Sequence, residues 1–187
     1  MTLVAVLWFV ATSSAQSPQV ENSEYNEIGP VISPDGKTLY FSRISHPQNS
    51  FGDKGSQDIW FVEWNNNSWT TPRRMPSPLN KEEYNALYSI SPDGNTALLK
   101  GSYNNGRYET RGFSITQRTA RGWSQPQKIE LPGHEKMSRG QFDCGYLSVD
   151  GKVLLTAFSE KKNSKDDDLY VNFKQKNDTW SKPMNLG

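Results

Sequence analysis

The chain has 187 residues, with 21 basic and 20 acidic side chains, a formal net charge of +1 and 34% hydrophobic residues. Because the two signs are interspersed, the charge excludes the basic footprint of a nucleic-acid or anionic-membrane binder. An aromatic content of 12% with almost no net charge also excludes the usual composition of a disordered chain, and many short strands joined by polar turns fit it instead.

The first predicted element is not part of the fold. Leu3 to Ala11 is almost continuously apolar, and Thr12-Ser13-Ser14-Ala15 follows. Small residues at Ser13 and Ala15 suit a signal peptidase, so residues 1–15 read as a signal peptide and the mature, exported chain starts near Gln16. No Lys or Arg precedes the apolar run, a departure from the usual basic start. The run is too short to span a bilayer, so no integral membrane segment is expected in the mature chain.

From residue 24 onward the chain repeats. Ser33-Pro34-Asp35-Gly36 returns 58 residues later as Ser91-Pro92-Asp93-Gly94 and 57 residues after that as Ser148-Val149-Asp150-Gly151. Ser at the first position, Pro with its fixed φ, then Asp and a Gly in the left-handed region describe a tight hairpin connection. Asp35, Gly36, Asp93, Gly94, Asp150 and Gly151 are therefore structural turn residues, and the three glycines are expected at positive φ. A second marker keeps the same beat: Trp69-Thr70-Thr71-Pro72, Trp123-Ser124-Gln125-Pro126 and Trp180-Ser181-Lys182-Pro183. Its Trp reads first as a packing residue between stacked sheets.

In chain order, repeat one gives strands over 30–33, 38–42, 58–64 and 69–75, with a long polar loop from Arg43 to Gln57. Repeat two gives strands over 88–90, 97–100, 112–117 and 123–129, and repeat three over 145–147, 153–158, 169–173 and 180–186. No segment shows a helical period. Four antiparallel strands per unit, repeated, predict an all-β chain of β-propeller blades with approximate bounds 24–78, 79–133 and 134–187 inside one domain, 16–187. Closed propellers use four to eight blades. Three predict an arc that continues in further sequence or self-associates through its open blade faces.

Ser-Pro-Asp-Gly followed by an apolar strand resembles the TolB-type WD40-like propeller repeat. Asp58-Ile59-Trp60, Trp69-Thr70-Thr71-Pro72, Leu79-Asn80 and a Glu before the next turn are similar to repeats of exported bacterial proteins, often linked to OmpA-like or peptidase domains. Repeat two departs, with Arg111-Gly112-Phe113 where repeat one has Asp58-Ile59-Trp60. The resemblance implies a periplasmic or outer-envelope location and a non-catalytic binding or scaffolding role toward a protein, peptide or glycan. The alternative is an accessory propeller of an exported hydrolase or lyase whose catalytic part lies outside this chain.

Signals for chemistry are sparse. Cys144 is the single cysteine and reads as a small strand residue. Asp166-Asp167-Asp168 is a solvated loop, since successive strand side chains diverge and no EF-hand spacing is present, so no metal is expected. His46 and His134 are isolated, and neither a Gly-x-Ser-x-Gly elbow nor a phosphate-binding Gly loop occurs, so no cofactor or catalytic residue is assigned. Binding is instead expected on loops that gather at one end of the blades. The candidates are Tyr25 and Glu27 in the lead-in, Tyr84 and Asn85 in the second, and Arg139 and Asp143 in the third. Glu24-Tyr25-Asn26 reappears as Glu83-Tyr84-Asn85, which ties these lead-ins to the repeat.

Overall fold

A computed structural model describes residues 23–187; the signal segment predicted over 1–15 and the expected mature start at Gln16 lie outside the described residues. Three antiparallel sheets follow one another along the chain. Sheet 1 is an up-and-down path of β1 (Asn26–Ile32), β2 (Thr38–Ile44) and β3 (Gln57–Asn65), with short β4 (Ser68–Trp69) and β5 (Arg73–Arg74) both on β3. Sheet 2 repeats the path with β6 (Leu87–Ile90), β7 (Thr96–Asn104), β8 (Arg107–Thr119), β9 (Gly122–Trp123) and β10 (Gln127–Lys128). One helical turn, α1 (His134–Met137), precedes sheet 3, made of β11 (Asp143–Leu147), β12 (Val153–Phe158), β13 (Asp168–Phe173) and β14 (Met184–Asn185). α1 is a single turn and so leaves no period in the sequence.

The turns form as the sequence predicts. Gly36, Gly94 and Gly151 have φ of 69°, 73° and 67°. In the first, the Ser33 hydroxyl donates to Asp35 Oδ1 and accepts from the Thr38 amide, while the Lys37 amide donates to Asp35. These bonds stabilise the ionised carboxylate and hold Asp35, Asp93 and Asp150 below the usual range. The fourth strands differ from expectation. Repeat one was expected to run unbroken over 69–75, but it divides into β4 and β5 around Thr71-Pro72, and repeat two divides around Gln125-Pro126. Pro has no N–H to give to the ladder, so pairing stops there.

A second correction concerns the alignment of repeats. The amides of Thr70, Ser124 and Ser181 donate to the carbonyls of Glu63, Gln117 and Phe173, which makes those three acceptors equivalent. Counting back five residues, Gly112 and not Arg111 stands where Asp58 and Asp168 stand. The offset arises because the β7–β8 hairpin runs on to Asn104 and Arg107, with register shifts between Lys100 and Tyr103.

Alternate side chains of each sheet point to opposite neighbours, and two seams result. Tyr40, Ile59 and Met75 of the first repeat pack against Leu87, Ala97, Leu99 and Trp123 of the second. Leu98, Phe113 and Ile129 pack against Leu154 and Trp180 of the third. Each Leu, Ile, Met or Phe side chain buried there contributes about 1.5–3 kcal/mol. Trp123 and Trp180 thus plug the seam to the preceding sheet, while Trp69 lies edge-on to Trp64 at 5.3 Å. Gly145 lets β11 close on sheet 2, since a Cβ there would stand 2.7 Å from Phe113 Cε1.

Candidate functional site

At the end of the sheets opposite the Ser-x-Asp-Gly turns, the lead-ins to sheets 2 and 3 border a cleft of about 700 Å³. Each wall has a backbone cause. The Gln57 amide donates to Glu83 O, and the Asn85 amide donates to Gln57 O, both at 2.7 Å. Tyr84 is held between these two bonds with its ring half exposed. On the other wall, Arg111 Nη1 donates to Gly140 O at 2.5 Å and Nη2 to Phe142 O at 2.9 Å. The guanidinium fixes that lead-in, and the Phe142 ring projects with 54% exposure.

The floor is ionic. Asp143 is buried and pairs with Lys100 Nζ, while Arg111 Nε stands 3.8 Å from its other oxygen. Its carbonyl accepts the Tyr88 hydroxyl at 2.6 Å. Burial first, then the charge of Asp143, pushes Tyr88 well above the usual phenol range. Tyr108 comes from the extended β7–β8 hairpin and lies edge-on to Tyr103, with ring centroids 5.6 Å apart. Gly101 makes room for both rings: it has φ +92°, and a Cβ would stand 2.8 Å from Tyr103 and 3.1 Å from Tyr108. Three partly exposed rings, Tyr84, Tyr108 and Phe142, therefore surround an aliphatic-ammonium and guanidinium pair tied to one carboxylate.

Of the six candidate residues, the cleft brings together Tyr84 and Asp143. Tyr25 lies elsewhere, edge-on to His46 at 4.5 Å, with His46 in turn edge-on to Trp60. Glu27 accepts from Arg43 Nε at 3.0 Å. Arg139 is exposed, and its backbone pairs with Ser159. Asn85 differs most from a solvated loop residue. It is 1% exposed, and its amide nitrogen donates to Asp58 Oδ1 at 2.8 Å, to Gln57 O at 3.2 Å and to Glu82 O at 2.5 Å. Its oxygen accepts the amides of Lys81 and Glu82. Asn85 is a strut between sheets 1 and 2.

Lys100, Tyr108, Arg111 and Phe142 were not among the candidates. Gln141-Phe142-Asp143 is a third version of the Glu-Tyr-Asn lead-in, and that position in the repeat was the available signal. The histidines take part in packing: His134 is buried between Phe113 and Phe158, and burial lowers its pKa. Burial also pushes the Cys144 thiol up, with the charges of Asp167 and Asp143 adding to it. Among the described residues, no group of three or more His, Cys, Asp and Glu side chains converges to hold a metal ion, and no helix is long and apolar enough to cross a membrane.

No family model and no curated protein matches the chain. Among solved structures, it is similar to a crystal structure described as a "putative 6-phosphogluconolactonase" from Bacteroides uniformis. The two are 16% identical with a TM-score of 0.47, and the match covers 90% of this chain and 42% of that one. The chain thus spans less than half the length of that protein.

Proposed function

We propose that the chain is a non-catalytic binding module, a three-bladed arc of a TolB-type propeller from an exported bacterial protein, that takes a peptide, protein segment or glycan into the cleft between its second and third lead-ins. The observation that carries this reading is the set of three partly exposed rings, Tyr84, Tyr108 and Phe142, around the Lys100–Asp143–Arg111 floor. Rings of this kind stack on the apolar faces of sugars and on peptide side chains at little conformational cost, because each has only two side-chain torsions to fix. The floor supplies directional donors to polar groups of the ligand. Binding, and not turnover, fits the ionic groups, which are already tied to one another. Export belongs to the same reading and rests on the Leu3 to Ala15 segment.

Selection of a phage-displayed peptide library and screening of a glycan array on the purified chain test the cleft. Binders recovered on the native chain are expected to lose about tenfold or more in affinity toward Tyr84→Ala and Phe142→Ala, the range for removal of an aromatic anchor. Both rings are half exposed, so the melting temperature should hold. Binders that ignore both substitutions would place recognition elsewhere.

A further inference from the structure

The cleft between the second and third lead-ins presents carboxylates as well as rings. Glu82 and Glu83 line it beside Tyr84, together with Lys100, Arg111 and Asp143, so three acids stand against two cations. Both cations are already committed. Arg111 gives Nη1 and Nη2 to the carbonyls of Gly140 and Phe142 and turns Nε toward Asp143, and Lys100 is paired with the same carboxylate. Among the described residues, neither Glu82 nor Glu83 forms an ion pair. Glu82 lies within electrostatic reach of the rings. The Tyr108 phenol is pushed up by burial first and then by Asp143; Arg111 opposes this, and Glu82 adds to it.

Elsewhere the chain shows what completes such a set. Arg43 Cζ lies 4.7 Å from the Trp60 ring centroid while Nε donates to Glu27 Oε1 at 3.0 Å. Arg73 Cζ lies 4.7 Å from the Phe61 ring centroid while the guanidinium pairs with Glu63. In each case a ring receives the flat side of a guanidinium and a carboxylate receives one of its N–H groups. The cleft offers the same two partners, aromatic face and glutamate, without that guanidinium. We propose that it takes an arginine side chain of a peptide, stacked among Tyr84, Tyr108 and Phe142 and paired with Glu82 and Glu83. The inference rests on the cleft being the binding site, as proposed above, and narrows the ligand of that site.

Other occupants answer fewer of these groups. A neutral glycan stacks on the rings but leaves both glutamates without a counter-charge, and an acidic one meets them as like charges. A lysine brings the charge, but as a compact, strongly hydrated point without a planar face to lay on a ring. Lys100 and Arg111 repel an incoming guanidinium, yet Asp143 offsets one of them, and Glu82 and Glu83 exceed the charge that remains.

Titration of the isotopically labelled chain with acetyl-Gly-Gly-Arg-Gly-Gly-amide, followed by amide chemical shifts, tests the assignment. Peptides with lysine, citrulline or glutamate at the central position serve as controls. The arginine peptide is expected to shift the amides of Tyr84, Tyr108 and Phe142 and to saturate in the millimolar range. Citrulline keeps the shape without the charge and should bind at least about fivefold more weakly, with lysine between the two. Glu82→Gln combined with Glu83→Gln should lower the affinity for the arginine peptide by about fivefold. The same change should remove most of the weakening seen between about 50 and 500 mM NaCl. Neither carboxylate holds a cation of the fold, so the melting temperature should stay unchanged. No shift with the arginine peptide up to about 20 mM overturns the proposal, as does equal affinity for the citrulline peptide. Peptide or glycan binders from the screens above that lose affinity with Tyr84→Ala and Phe142→Ala, but not with the paired glutamine variant, keep the cleft and overturn the arginine. Binders that ignore the ring substitutions overturn the cleft itself, so the two readings fail on different data.

Discussion

Replacing Asn85 by Ala should loosen the seam between sheets 1 and 2, although its place in a lead-in suggests a tolerant surface site. Asn85 donates to Asp58 Oδ1 at 2.8 Å, and Asp58 is 0% exposed. The other carboxylate oxygen keeps the Ser50 amide at 2.7 Å and Arg74 at 3.0 Å, so the charge is not abandoned. A bond to a charged group is worth about 1.5–3 kcal/mol and a neutral one about 1 kcal/mol. The amides of Lys81 and Glu82 are partly exposed at their bonds and can turn to water. The expected loss is therefore about 3 kcal/mol. Urea unfolding at pH 7 followed by tryptophan fluorescence measures it, since Trp123 lies in this seam. Asn85→Asp should cost more at pH 7, because two carboxylates would meet at hydrogen-bond distance and one must hold a proton. That raised pKa in the folded state makes the loss smallest at low pH and largest above it, so Asn85→Asp should recover relative to Asn85→Ala as pH falls toward 4. A loss below about 1 kcal/mol for Asn85→Ala would refute the strut, because it would equal the worth of a single neutral bond.

Two further outcomes follow from the second seam. Gly145→Ala should destabilise by about 1–3 kcal/mol, the range for overpacking, because its Cβ would press on the fully buried Phe113 ring; thermal unfolding that matches the native chain would contradict the close approach. His134 is neutral when folded, with its pKa lowered mainly by burial between Phe113 and Phe158; Asp143 pulls it up and Arg111 pulls it down. Its Nε2 has no protein partner among the described residues. Unfolding takes up a proton below the unfolded pKa of about 6.5, so stability is complete above that pH and falls by up to about 1.4 kcal/mol per unit below it. His134→Leu should remove that part of the slope between pH 6.5 and 5 in parallel urea titrations, and identical slopes would exclude the histidine as its source.

The legible parts of the sequence were those whose cause is local. Ser, Asp and Gly of the three turns settle their own hydrogen bonds and φ, and β-branched and aromatic runs such as Asp58 to Trp64 set strands without outside help. The cleft was half legible. Tyr84 and Asp143 stood out as lead-in residues, but Lys100 and Arg111 matter only because sheet 3 brings Asp143 to them. Asn85 shows the limit from the other side. An amide in a polar loop reads the same whether it faces water or five backbone and carboxylate atoms, and only packing decides. The displaced alignment at Gly112 has a similar origin, because ladder register near Lys100 to Tyr103 depends on pairing and not on composition.

The polar contacts at the two seams have opposite polarity. In the first, the acid Asp58 belongs to the earlier sheet and the amide Asn85 to the later lead-in; in the second, Gly112 replaces the acid, and Asp143 of the later lead-in meets Lys100 and Arg111. An array built from such units cannot grow by copying any one of them. A tandem duplicate of the second repeat would set Gly112 opposite a copy of Asn85, leaving that amide without its carboxylate. A duplicate of the third would bring Asp168 against a copy of Asp143 with neither cation nearby. Sheet order is thus enforced by nearest-neighbour compatibility, and viable insertions or recombination events in this lineage should carry adjacent repeats together or change both sides of a junction at once.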